Sequence, residues 1–206
     1  MRKLHPKWNE LNPNEKRTLR QRDIHDNWLV NKARGYVLAF VGFGKTRIGE
    51  NAIIRCLEPD NTRVVNIVVP SKLIKAQWKL LIDKYKWTTV RVYIGISYVE
   101  LPKEDRTCNL LVVDECHRYS NESSLVFSKV IDSTKKNWIL CLSATMNKAQ
   151  RSFLEERNIP LVGEVDLAEA TKESYVSKYN IYAMSLSMTD EDEDKISICV
   201  KEDLTP

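Results

Sequence analysis

Ala39-Phe40-Val41-Gly42-Phe43-Gly44-Lys45-Thr46 joins an apolar run, YVLAFV (36–41), to a segment of helical spacing at 46–57. In such a strand–loop–helix unit the glycines let backbone N–H groups wrap phosphate oxygens, and the helix start adds positive potential. Lys45 is then placed to reach the β- and γ-phosphates, and Thr46 to ligate Mg²⁺. The full pattern GxxxxGK[ST] would need glycine at position 39, where this chain has Ala39. A bare Gly-Lys-Thr says little. Its place between strand and helix makes a phosphate site the stronger reading and a chance glycine turn the weaker one.

Outward from this unit, RVVNIVV (63–69), TVRVYI (89–94), NLLVVD (109–114) and NWILCLS (137–143) alternate with helical segments at 71–84 and 123–134. Continuous apolar strands joined by helices imply an α/β fold, a mostly parallel sheet with helices on both faces. Upstream, residues 14–33 set Leu19, Ile24, Trp28 and Leu29 among charges, with Arg34-Gly35 as the expected stop of a basic amphipathic helix. Downstream come a helix near 147–157, a short IPLVGEV run (159–165) and a helix near 166–174. A strand, KYNIYAMSLS (178–187), and a helix capped by Thr189 follow. Without repeats or a Gly/Ser-rich linker, the division is 1–35 as a basic helical segment, 36–165 as the core and 166–206 as a C-terminal extension.

A chain of 206 residues, 43% hydrophobic and 29% charged, can bury a core, which excludes a disordered tail. The net charge of +4 is too mild to imply nucleic acid, but residues 1–50 carry eleven Lys/Arg against five acids. Asp190-Glu191-Asp192-Glu193-Asp194 balances them at the other end. Cys56, Cys108, Cys116, Cys141 and Cys199 form no CxxC pair, so reduced, buried thiols are expected and a zinc site is not. No run approaches the ~18–20 apolar residues of a membrane span, and MRKLHPKWNE lacks a signal-peptide core. A cytoplasmic protein without membrane partners, bacterial or in a phage-infected host, is the expectation.

Two more strand ends carry chemistry. In Asp114-Glu115-Cys116-His117, Asp114 can hold Mg²⁺, often through water, and Glu115 can orient and deprotonate an attacking water. An acidic strand-to-loop turn is the bland alternative, which the phosphate-binding loop upstream makes the weaker. Cys116 and His117, as neighbours in an extended run, face opposite ways and lack an orienting third group, which argues against a nucleophile pair. Ser143-Ala144-Thr145 ends the fifth strand, with its hydroxyls at the edge where open α/β sheets bind ligands.

GFGKT, DECH and SAT in this order resemble motifs I, II and III of superfamily 2 helicases and translocases, the DEAD/DEAH-box-like group. Gln21, 23 residues before Gly44, resembles the family's adenine-reading Q-motif glutamine, with Arg20 in place of the usual aromatic. Val68-Val69-Pro70-Ser71 with Gln77-Trp78 resembles motif Ia, and Ser97-Tyr98 resembles motif Ib. The resemblance implies a RecA-like domain that uses ATP and Mg²⁺. Gly42, Phe43, Gly44, Lys45, Thr46 and Gln21 would hold the nucleotide, Thr46 and Asp114 the metal. Lys45 and Glu115 would be catalytic, and Ser143 and Thr145 would couple nucleotide state to strand grip.

Pro70, Ser71, Lys72, Ser97 and Tyr98 would touch nucleic acid, DNA in preference to RNA. The tail from Ile159 to Glu193 resembles the exit from a first RecA-like domain in bacterial and phage repair helicases. The implied partner is a second RecA-like domain, in cis or in trans, carrying motifs IV to VI. Against these stand plainer readings: Trp78 as a packing aromatic, Lys72 and Lys75 as a solvated face, Arg47 as structural or solvent-facing. The leading function is a helicase or translocase motor domain hydrolysing ATP, weakly by itself. The alternatives are a non-catalytic, nucleotide-switched binding module and another class of phosphate-loop NTPase.

Overall fold

A computed structural model describes residues 8–119 and 128–175. Its strands are β1 (Arg34–Ala39), β2 (Val65–Val69), β3 (Val90–Ile94), β4 (Cys108–Asp114), β5 (Lys136–Ser143) and β6 (Leu161–Val165). They form one sheet in the order β3-β2-β4-β5-β1-β6, with every pairing parallel. The helices are α1 (Pro13–Val30), α2 (Lys45–Leu57), α3 (Lys72–Tyr85), α4 (Gly95–Val99), α5 (Ser128–Asp132), α6 (Lys148–Glu155) and α7 (Leu167–Lys172).

Each central strand serves two cores because successive side chains alternate faces. Val37, Ile67, Val112 and Leu140 pack beneath α1, α2, α3 and α7; Tyr36, Val68, Val113 and Cys141 pack beneath α4, α5 and α6. From β1 the chain steps outward to β2 and β3 with its helices on the first face. It then returns through β4 and β5 to β6 with them on the second, as a single crossover handedness requires. The C-terminal ends of β4, β5 and β1 thus lie side by side.

Sequence and structure differ in four places. Helix α1 starts at a capping box, Asn12 with Glu15, but stops at Asn31, where Lys32 and Ala33 turn left-handed, rather than at Arg34-Gly35. Gly35 instead lies in β1, where a Cβ would stand 2.4 Å from Val162. Phe40 and Val41, expected in the first strand, begin the loop, although Phe40 N–H still donates to Val165 O at 3.0 Å. The IPLVGEV run supplies a sixth strand, paired with β1.

The basic N-terminal helix is also not an open cationic face. Lys16 pairs with Glu173 at 3.1 Å and Arg20 with Glu169 at 2.9 Å, and Arg20 also donates to Glu164 O.

The expected strand at 178–187, the helix after Thr189, the acidic run, Cys199 and residues 123–127 of the expected helix at 123–134 lie outside the described residues. Among the described residues no helix is long and apolar enough to cross a membrane.

Candidate nucleotide site

The loop after β1 is shaped by two glycines in the left-handed region, Gly42 at φ 87° and Gly44 at φ 97°. A Cβ at Gly44 would also lie 2.5 Å from Gln21 Nε2. Gly44 is the N-cap of α2 and offers no capping side chain, so the first N–H groups of the helix are left for an anion. Lys45 Nζ donates to Ala39 O at 3.1 Å, lying across the base of the loop. Gln21 is buried and donates from Nε2 to Phe43 O at 2.7 Å, so its observed role is to brace the loop from below. Phe43 is fully buried against Tyr175, with ring centroids 5.5 Å apart.

At the end of β4, Asp114 is 7% exposed with both oxygens engaged. Oδ2 accepts from Trp78 Nε1 at 2.9 Å and Oδ1 from Glu115 N–H at 3.0 Å. Burial pushes its carboxyl above the ordinary range; the Trp78 hydrogen bond and the charge of Lys45 pull it back. Lys45 and Asp114 therefore share one electrostatic environment.

Glu115, held left-handed at φ 51°, has Oε2 3.4 Å from His117 Nδ1. That nitrogen also lies 2.9 Å from Ser143 Oγ, whose single proton goes to Thr145 O at 2.9 Å. Ser143 must then accept, which puts the imidazole proton on Nδ1. Gln150 Nε2 donates to His117 O at 2.8 Å and steadies the turn. The ends of β4 and β5 are joined through this chain.

The donor set fits a magnesium nucleotide. Among the described residues no group of three or more His, Cys, Asp or Glu could hold a metal. Mg²⁺ bound by one carboxylate, one hydroxyl, phosphates and water needs no such cage. Cys116 is fully buried, and burial together with neighbouring Cys141 raises its thiol, which agrees with setting aside a nucleophile role.

The family model for the type III restriction enzyme res subunit matches residues 88–148, from β3 through the SAT strand. Similar solved structures include a helicase, an ATPase core and an ATP-dependent restriction-modification enzyme. The UvsW helicase of bacteriophage T4 is 16% identical at a TM-score of 0.56, over 71% of this chain and 58% of that one. The chain shares their RecA-like α/β fold.

The SWI2/SNF2 ATPase core of Sulfolobus solfataricus, solved with dsDNA, is 14% identical at a TM-score of 0.51, over 74% of this chain and 36% of that one. The DNA-bound type ISP restriction-modification enzyme LlaBIII is 14% identical at a TM-score of 0.58, over 75% of this chain and 15% of that one. This RecA-like chain thus spans less than two thirds of each relative. No curated protein sequence matches it.

The parallel register Val69↔Ile94 sets Pro70 of the RecA-like domain beside Gly95, bringing the two expected nucleic-acid segments to one edge. Lys72 and Ser97 are exposed there, Pro70 is half-buried, and Ser71 Oγ caps α3 by accepting from Ile74 N–H at 3.4 Å. Tyr98 does not belong with them. It is fully buried, its hydroxyl takes hydrogen bonds from Asn66 and Thr134, and burial lifts it to about 12. A side chain inside the core cannot touch a strand outside it. Arg47 is structural, as expected: it pairs with buried Glu50 at 2.9 Å, and Tyr85 also donates to Glu50.

Trp78 packs in the core, as its plainer reading had it, but sequence reasoning missed its bond to Asp114. Its indole is 1% exposed, lies against Gly49 of α2, where a Cβ would come within 2.7 Å, and orients Asp114. The available signal was its single N–H donor, which a buried indole must satisfy.

Proposed function

We propose that the chain is the ATP-binding motor domain of a nucleic-acid-dependent helicase or translocase. A second RecA-like domain, in cis or in trans, would complete the site for hydrolysis of ATP to ADP and phosphate. The observation that carries this reading is the convergence of the loop after β1, Asp114-Glu115 and Ser143-Thr145 at three adjacent strand ends, with the charge of Lys45 acting on Asp114. On this reading residues 36–165 are the core of the motor, 1–35 its N-terminal segment and 166–206 its C-terminal extension, whose described part packs back on α1 and Phe43.

In this reading Lys45 exchanges its bond to Ala39 O for the β- and γ-phosphates, and the loop N–H groups hold the rest of the phosphate chain. Thr46 and Asp114 would hold Mg²⁺, which would supply charge neutralisation at the phosphates. Glu115 orients a water and accepts its proton at the carboxylate. The link from Glu115 through His117 to Ser143 and Thr145 ties this chemistry to the neighbouring strand end. Gln21, through its bond to Phe43 O, ties the base of the loop to α1. The DNA in two of the similar structures supports DNA as the polymer, and the likeness to UvsW supports a phage-infected or bacterial cytoplasm.

The test is titration of a fluorescent ATP analogue into wild type and Lys45→Ala, with and without Mg²⁺. Binding that requires both lysine and metal is expected; equal affinity in all four arms overturns the assignment.

A further inference from the structure

A cleft of about 230 Å³ opens at the C-terminal ends of β2, β3 and β4, lined by Pro70, Ile94, Gly95, Ile96, Arg118 and Tyr119. Smaller than the roughly 300–1,000 Å³ of sites that enclose a whole drug-sized ligand, it has room for one planar heterocycle. At its base Gly95 packs directly on Tyr119, where an added Cβ would fall 2.5 Å from the ring. Ile96 stands at the mouth, 54% exposed although large and apolar. Arg118 is also exposed, and among the described residues its guanidinium makes no hydrogen bond.

Apolar walls with a single cation at the rim suit a flat, uncharged ring that carries an anionic tether. A nucleotide of a single strand is such an object: the base needs dry contact on its faces, and its phosphate needs a guanidinium. The position agrees, because Pro70 belongs to the strand end where Lys72 and Ser97 are also exposed.

We propose that this cleft takes one unstacked base of a single strand, with Arg118 on the adjoining phosphate. This rests on the nucleic-acid reading above and adds to it a site for a base, where phosphate contact alone would recognise only the backbone.

The experiment measures anisotropy of labelled single-stranded DNA against an oligomer of equal length carrying abasic sites throughout, over a range of salt. Wild type is expected to bind the base-bearing strand roughly five- to tenfold more tightly. Ile96→Trp, which plugs the mouth, and Ile96→Ser, which removes its apolar wall, should both erase that preference while leaving abasic binding unchanged. Arg118→Ala should reduce the log–log salt slope by about 0.7, one phosphate on a single strand. Ile96 and Arg118 are exposed, so melting temperatures should match wild type and serve as the folding control.

Equal wild-type affinity for both strands overturns the cleft and leaves the nucleic-acid reading standing. A preference that survives both Ile96 variants places the base contact elsewhere and also overturns it. No binding of either strand overturns both readings.

Discussion

Replacing Trp78 with phenylalanine removes one hydrogen bond and a little volume, and the pH dependence of the damage separates the two. The lost bond, 2.9 Å from indole Nε1 to Asp114 Oδ2, reaches a carboxylate that is 7% exposed, and no water can replace it easily. Hydrogen bonds to charged groups are worth about 1.5–3 kcal/mol, and the smaller ring leaves some unfilled space against Gly49. A total loss of about 2–4 kcal/mol follows, or a melting point lower by roughly 5–15 °C for a domain of this size.

Asp114 titrates above its unfolded value, chiefly through burial. Between the two values the folded state holds more proton than the unfolded one, so stability falls as pH rises through that window. A phenyl ring in place of the indole cannot support the ionised form, which raises the folded value further and widens the window. The gap between wild type and Trp78→Phe should therefore be largest where folded Asp114 is ionised and shrink as pH falls through its titration, because the protonated acid needs the indole less. Differential scanning fluorimetry in EDTA without nucleotide measures it. A gap that does not change with pH over the range in which the protein stays folded would mean that Trp78 only fills space, refuting its role in holding Asp114.

Glu115→Gln should leave nucleotide affinity within about twofold and abolish turnover, because the amide keeps the shape but cannot take a proton; steady-state phosphate release alongside analogue titration distinguishes the two. Arg20→Ala should lower stability by about 1–2 kcal/mol and leave single-strand affinity unchanged. Its guanidinium is committed to Glu169 and Glu164 O, so a thermal melt moves and an anisotropy titration does not.

Five strands were legible because each is a short, mostly apolar and β-branched run whose length suits a strand, even where Asn66 or Arg91 interrupts it. The sixth was not, because Gly163 and Glu164 dilute its pattern, and only pairing with β1 makes it a strand. The glycine turn between β1 and α2 could be read because its pattern lies within eight consecutive residues. Trp78 and Tyr98 could not, since a side chain's role depends on what it meets across the sheet. Helical spacing marks Trp78 as apolar without showing that Asp114, 36 residues on, needs its N–H. A Ser-Tyr pair looks polar and exposed until Asn66 and Thr134 are found around the hydroxyl. The charge surplus of residues 1–50 misled for the same reason. Its neutralising acids, Glu169 and Glu173, lie about 150 positions away and come close only through α7.

The placement of β1 between β5 and β6 also bears on how the protein is made. Arg34 pairs with Ile139, and Ala39, the residue that opens the phosphate loop, pairs with Val165. A chain emerging from the ribosome has the loop early but its flanking strands more than a hundred residues later, and such distant pairings are slow to close. Until β6 has left the exit tunnel, β1 has an open edge on one side and Phe40 N–H lacks Val165 O. Nucleotide binding should thus switch on late in synthesis, and nascent chains that stop before β6 would expose an apolar strand to aggregation or chaperones.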